Sequence, residues 1–171
     1  STCLLLAALL ASAYAAGVDE TNQDLLVVEG NYTSTVDQSS LNQALVEEPA
    51  GELTAAERED LLYMAEEEKL AGDVYSALND KWNLRVFDNI IRAERTHEAA
   101  VKTLLTRYSL PDPTQDAGKF SDENLQKLHD DLVFRGSSAE EQALMVGAAV
   151  EEIDIKDLEE PMISTTFPRM G

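Results

Sequence analysis

The segment from Val86 to Tyr108 carries charged residues inside what is otherwise an apolar helical stripe. Read at helical period, that stripe consists of Phe87, Ile90, Glu94, His97, Val101, Leu104 and Tyr108. Burying a bare carboxylate costs several kcal/mol unless a partner compensates the charge. Because Glu-x-x-His is also the spacing with which a bundle helix presents two ligands to a metal, this pair is a candidate metal site. A core histidine bonded to a neighbouring glutamate is the commoner meaning of the same spacing.

A second predicted helix also places an acid among its inward-facing residues. Thr54 and Glu57 form a capping box, which predicts a helix that starts there and runs to about Leu78. Its stripe is Leu61, Met64, Glu68, Ala71, Tyr75 and Leu78. Glu67 is the alternative for the inward position. Glu68 is preferred because its neighbours on the stripe, Met64 and Ala71, are apolar.

Two more helices are predicted nearer the end of the chain. Ser121 should open a short helix that Gly136 closes, and its inward residues are Leu125, Leu128 and Leu132. His129 is predicted to lie at the surface or at the boundary of this helix. A second capping box at Ser138-Ala139-Glu140-Glu141 starts the last helix. Its predicted stripe is Leu144, Gly147, Glu151, Asp154 and Leu158.

Acids in three inward-facing stripes favour a shared cation over three separate buried charges. Cys3, the single cysteine, lies in a predicted signal peptide, so the ligands would be oxygen and nitrogen atoms. Carboxylate with imidazole suits iron, manganese or zinc, and two such helices around a pair of irons form a di-iron bundle. Asp154 is expected to orient His97 as an outer carboxylate or to act as an alternative ligand.

Composition narrows the class of partner. The chain has 171 residues, 44% of them hydrophobic, which is enough for one domain with a core. A net charge of -20 and a pI near 4.2 argue against nucleic acid and anionic membranes as partners, and they suit metal ions.

The two ends of the chain lack the helical periodicity of its middle. Residues 1–15 resemble part of a signal peptide, with an apolar run at Leu4–Leu10 and an A-x-A cleavage site at Ala13-Tyr14-Ala15. This predicts a secreted or exported protein with no membrane segment after cleavage. Residues 16–52 are predicted to be an acidic, mostly disordered leader. Residues 53–160 are predicted to form the helical domain, and residues 161–171 an irregular tail.

Several motifs together resemble a known group of proteins. Glu68-Lys69-Leu70-Ala71-Gly72-Asp73-Val74-Tyr75 and Glu94-Arg95-Thr96-His97 are similar to the first two ligand-helix motifs of rubrerythrin-type ferritin-like proteins. With Tyr63-Met64-Ala65-Glu66-Glu67 and Val146-Gly147-Ala148-Ala149-Val150-Glu151, they more closely resemble a ferritin-like family of unknown function, DUF2202. The resemblance implies an all-α, antiparallel four-helix bundle with a di-metal centre. Glu68, Glu94, His97 and Glu151 take its ligand positions.

The chain departs from that pattern at its end. Such bundles carry a fourth long helix with a further histidine, whereas the last residues include Pro161 and Pro168 and no histidine. We expect a truncated or mis-spliced chain rather than a partner chain that supplies the missing helix, although a homo-oligomer is compatible with the sequence.

Two functions follow from these observations. The first is a ferritin-like metal protein that holds iron and acts in iron oxidation or oxidant defence. Whether it is an enzyme, as a ferroxidase or a peroxidase-like oxidoreductase, is left open by the sequence. The alternative is a non-enzymatic helical binding or structural module whose buried acids are hydrogen-bonded to Arg58, Lys69 or Arg92.

Overall fold

The protein is built mainly from α-helices. The computed structural model describes residues 26–28, 34–47 and 51–150. Strands β1 (Leu26–Val28) and β2 (Ser34–Val36) pair antiparallel, with Leu26 opposite Val36. Helices α1 (Gln38–Glu47), α2 (Ala55–Trp82), α3 (Arg85–Arg107) and α4 (Glu123–Gly136) follow, and residues 140–150 are also helical and are called α5. The predicted all-α class is therefore confirmed, with one short strand pair added to it.

Helices α2 and α3 form a long antiparallel hairpin. Thr54 caps α2 as predicted, because its side chain accepts from the Glu57 amide while the Glu57 carboxylate accepts from the Thr54 amide. Asn83 ends α2 in the left-handed conformation, at φ 52°, and its amide donates to the Asn79 carbonyl. Only Leu84 separates this cap from α3, so the two helices pack along their length.

Two apolar clusters lie at opposite ends of the hairpin. The first joins the N-terminal half of α2 to the C-terminal half of α3. Its buried members are Val36, Leu41, Leu45, Leu61, Ala65, Ala100, Val101, Leu104 and Leu105. The second joins the other two halves to α4, α5 and the residues that precede α4. Its buried members are Leu70, Ala71, Val74, Tyr75, Leu78, Phe87, Phe120, Leu125, Leu132, Ala143, Val146 and Val150.

The region predicted to be a mostly disordered leader contains ordered structure in its described part. Val36, Leu41 and Leu45 are buried in the first cluster. The Val36 amide donates to Thr96 Oγ1 at 3.0 Å, and Arg107 donates to the Leu45 carbonyl. A helix as short as α1 is marginal by itself, so its packing against α3 is what stabilises it. We call residues 26–28 and 34–47 the N-terminal arm.

The C-terminal helices differ from prediction in three details. Asp122, not Ser121, caps α4, and its carboxylate accepts from the amides of Asn124 and Leu125. His129 is buried, with its ring centroid 5.3 Å from that of Phe120 and Nδ1 3.0 Å from Asp130 Oδ1. Leu144 was predicted to face inward, yet it is 47% exposed.

The inward face of α5 is instead formed by smaller residues. Ala143, Val146 and Val150 are buried. A Cβ at Gly147 would lie 3.2 Å from Tyr75 Cε1, so the glycine lets α5 approach α2 closely, and the Tyr75 hydroxyl donates to the Gly147 carbonyl at 2.9 Å. Leu144 follows Ala143 and so lies about 100° from it around the helix, which places its side chain beside this face rather than on it.

Replacing Leu104 tests the assignment of the first cluster. Leu104 is 2% exposed, so Leu104→Ala should lower the free energy of unfolding by about 2–5 kcal/mol through the cavity that it leaves. Urea unfolding followed by circular dichroism measures this change. Val46→Ala is the matched control, because Val46 is 86% exposed and its replacement should change stability by less than about 0.5 kcal/mol. A Leu104→Ala effect as small as that of the control would show that the wrong face had been assigned.

Candidate metal centre

Three polar side chains meet between the two apolar clusters, at the middle of the α2–α3 hairpin. Glu68 projects from α2, while Glu94 and His97 project from α3 one turn apart. The helices approach closely here, since a Cβ at Gly72 would lie 3.7 Å from the Glu94 Cβ. The antiparallel pairing thus joins residues that lie far apart in the sequence.

The geometry suits a single shared cation. His97 Nδ1 lies 3.5 Å from Glu94 Oε2 and 3.6 Å from Glu68 Oε2. One potential ligand atom from each residue lies within 4.8 Å of the other two. Ligand atoms about 2.0–2.2 Å from a common ion are themselves roughly 3–3.5 Å apart. Small side-chain rotations would therefore bring all three atoms into a coordination sphere.

Burial makes this cluster electrostatically demanding. The side chains of Glu68, Glu94 and His97 are only 12%, 6% and 12% exposed. Burial raises the pKa of the Glu68 carboxyl, as does the nearby Glu94, while His97 opposes that rise. Burial by itself would lower the pKa of His97, but hydrogen bonds to Glu68 and Glu94 outweigh it and raise the pKa to about 10. Without metal, the imidazolium thus pairs with both acids, and its single charge offsets one of the two carboxylates.

The three consecutive glutamates of α2 have different environments. Glu68 belongs to the cluster, whereas Glu67, the alternative considered from the sequence, does not. Glu66 is 5% exposed, and its carboxylate accepts from the Ser121 amide. Of the two candidates for the inward position, Glu68 is thus the one that meets Glu94 and His97.

A second polar face of α2 was not predicted. Lys69 is buried, forms an ion pair with Asp73 and lies 4.3 Å from the centroid of the Phe120 ring. Asp73 also accepts from the Gly118 amide at 2.8 Å. With Glu66, these residues attach the segment before α4 to α2. Glu66, Lys69 and Asp73 are three and four residues apart, which places them on one helical face and could have indicated this contact. The indication was weak, because a run of charged residues normally faces solvent.

The other predicted ligands fall outside the described residues. These are Glu151 and Asp154, which follow the last described residue of α5. In its described part, α5 runs toward the centre: Gly136, just before it, contacts Leu78 and accepts from Trp82, while Gly147 contacts Tyr75 farther back along α2.

Two of the three basic residues considered as partners of the buried acids, Lys69 and Arg58, contact residues other than Glu68 and Glu94. Lys69 pairs with Asp73. Arg58 Nε donates to the Leu53 carbonyl at 3.3 Å.

Among the described residues, no helix is long and apolar enough to cross a membrane.

Comparison with known proteins places the chain in a family. Residues 57–167 match the family model described as "Uncharacterized protein domain (DUF2202)". The chain is similar to the uncharacterized protein MJ0754 of Methanocaldococcus jannaschii, with 46% identity over 113 residues, covering 65% of this chain and 61% of that protein. It thus spans less than two thirds of that relative's length.

A solved structure supports the same relationship. The crystal structure of hypothetical protein MJ0754 from Methanococcus jannaschii matches with a TM-score of 0.64 and 45% sequence identity, covering 66% of each chain. The family match also includes the segments that carry Glu68, Glu94, His97 and Glu151. The chain therefore belongs to the DUF2202 family.

Proposed function

We propose that this protein binds metal through a carboxylate–histidine centre held by α2 and α3. The observation that carries the proposal is the position of His97 Nδ1, 3.5 Å from Glu94 and 3.6 Å from Glu68 in a buried layer between two apolar clusters. Burying two glutamates and a histidine between apolar clusters costs free energy unless the side chains pair with one another or share a cation. Their convergence from two helices favours a ligand set over a chance pair on one helix.

We propose iron as the resident metal, with manganese and zinc as competitors. Glu68, Glu94 and His97 suit one ion, and the second ion of the proposed di-iron pair would need further ligands. Oxygen and imidazole ligands suit all three metals. Glu151 and Asp154 are the proposed further contributors from the residues after 150, consistent with the direction in which α5 runs. A ferritin-like four-helix bundle is the architecture proposed around such a centre.

The chemistry proposed for this centre is iron oxidation or oxidant defence. Bound iron would supply one-electron chemistry toward dioxygen or peroxide. The chain's own residues would hold the metal, and the apolar clusters on both sides would limit the access of water. Export from the cell remains a prediction from the sequence.

A second function is favoured by one observation. The raised pKa of His97 indicates that its protonated imidazole pairs with both carboxylates without metal. The same residues could therefore form a buried ion-pair triad in a helical module with no metal and no catalysis. Metal content separates the two functions.

Replacing the ligands tests the metal proposal. Glu68→Ala, Glu94→Ala and His97→Ala should each abolish stable iron loading, because each removes one ligand, while most helical content is retained. Elemental analysis of protein from iron-supplemented cultures measures loading, and circular dichroism measures helicity. Glu67→Ala and Glu98→Ala are matched controls that neighbour the centre without joining the cluster, and they should retain iron. Wild-type protein with only trace iron, or unchanged iron in all three ligand variants, would refute the proposal.

The pKa of His97 predicts how the metal-free protein responds to pH. The folded pKa of about 10 exceeds the ordinary value of 6.5, so the stability that protonation of His97 contributes is fully present below pH 6.5. It is lost as the pH rises through about 10. In the presence of a chelator, wild type should therefore lose more stability between these pH values than His97→Gln does. Equal pH dependence in the two proteins, measured by urea unfolding, would contradict the ion-pair geometry.

Metal loading should also displace the proton from His97. A coordinating imidazole must be neutral, so loading near neutral pH should release a proton, and the metal affinity should rise with pH. Anaerobic calorimetric titration with ferrous iron in two buffers of different ionisation enthalpy measures the number of protons released. In His97→Gln, proton release should fall together with affinity. Tight binding with no proton release would exclude His97 as a ligand.

A further inference from the structure

The N-terminal arm binds α3 at Thr96, the residue that directly precedes His97. The Val36 amide donates to Thr96 Oγ1 at 3.0 Å, and Gln38 Nε2 donates to the Thr96 carbonyl at 3.1 Å. These contacts join residues that are 60 and 58 positions apart in the sequence. Thr96 thus accepts hydrogen bonds from the arm through both its side chain and its backbone.

The Thr96 carbonyl belongs to the peptide group that carries the His97 amide. Because a peptide group is planar, a hydrogen bond that fixes this carbonyl also fixes the direction in which the chain enters His97. The Gln38 side chain is itself held at its other end, where Thr103 Oγ1 donates to Gln38 Oε1 at 3.4 Å. The arm therefore restrains the backbone at one of the two proposed ligands on α3.

The Thr96 hydroxyl reaches the other proposed ligand on α3 in the same way. Its Oγ1 donates to the Ala93 carbonyl at 2.8 Å, and that carbonyl belongs to the peptide group that carries the Glu94 amide. The hydroxyl accepts from Val36 and donates to Ala93, so the two hydrogen bonds form a chain and strengthen each other. Thr96 therefore connects the arm to both Glu94 and His97.

The arm is held on α3 by few elements. Val36 is 4% exposed, so its amide is removed from water and needs the acceptor that Thr96 supplies. Helix α1 has ten residues and each strand has three. Elements of this size open at a lower free energy than the whole domain unfolds. Docking of the arm is therefore an equilibrium that contacts at Glu94 and His97 can influence.

We propose that the N-terminal arm positions Glu94 and His97 for metal through Thr96, and that arm docking and metal binding strengthen each other. The inference rests on the proposed function. Metal affinity depends on how accurately the ligands are held, because ligand distances tolerate changes of only about 0.2 Å. Thr96 is a positioning residue, since it acts on both ligands through the backbone.

Replacing the Thr96 hydroxyl in the full chain tests this coupling. Thr96→Val keeps nearly the same shape but removes the hydrogen bonds to Val36 and Ala93, so the affinity for ferrous iron should fall about tenfold. Thr96→Ser restores the hydroxyl and should restore the affinity. Thr106→Val is the matched control, because Thr106 Oγ1 donates to the Lys102 carbonyl on the same helix at 3.0 Å. Its affinity, measured by the same anaerobic calorimetric titration, should equal that of wild type.

Affinity separates positioning from a loss of stability. A variant that is only less stable binds metal with unchanged affinity as long as it remains folded, which urea unfolding verifies. Gln38→Leu provides a second variant, because it removes the hydrogen bond to the Thr96 carbonyl from the side of the arm and leaves α3 unaltered. Its affinity for ferrous iron should fall several-fold.

The coupling must also act in the reverse direction, because linkage between two equilibria is reciprocal. Hydrogen exchange in peptides that contain residues 34–47, followed by mass spectrometry, measures opening of the arm. Loading wild type with ferrous iron should slow this exchange several-fold. In Thr96→Val at saturating iron, the slowing should be smaller.

The possible outcomes distinguish this inference from the proposed function. Wild-type protein that binds no ferrous iron would refute the proposed function and this inference with it. Tight binding that is equal in wild type, Thr96→Val and Gln38→Leu would refute the inference alone. An affinity that Thr96→Ser fails to restore, or arm exchange that does not respond to iron, would do the same.

Discussion

Two carboxylates and an imidazole, those of Glu68, Glu94 and His97, meet with little solvent at the centre of the α2–α3 hairpin. The rest of the architecture depends on this contact, because the apolar clusters begin on either side of it. A buried charge cluster is stable only if its members compensate one another or share a cation. In the metal-free state the imidazolium of His97 offsets one of the two carboxylate charges. The proposed metal would replace its proton.

The two apolar clusters are completed by different segments of the chain. The first is completed by the N-terminal arm, since Val36, Leu41 and Leu45 cover the C-terminal half of α3. The second is completed by α4 and α5, which pack on α2 through close contacts at Gly136 and Gly147. Because a second polar face on α2 binds the segment before α4, this helix contacts structure on several sides.

Family membership and geometry contribute separately to the functional proposal. The family is described as uncharacterized, so membership by itself assigns no activity. The similar protein of known structure is likewise called hypothetical. The metal proposal therefore rests on the convergence of Glu68, Glu94 and His97.

The sequence by itself determined helices α2 and α3 and indicated Glu68, Glu94 and His97 as inward-facing residues, whereas the pairing of the two helices brought the three together. The Thr54 capping box, the long apolar periodicity and the Glu94–His97 spacing are local patterns that a helix expresses whatever surrounds it. Tertiary structure decided the role of the N-terminal arm, because a ten-residue helix is stable only when packed. It also decided the orientation of α5, in which Ala143, Leu144, Met145 and Val146 are consecutive apolar residues. Such a run does not specify an inward face, so the close approach of Gly147 to Tyr75 selects it.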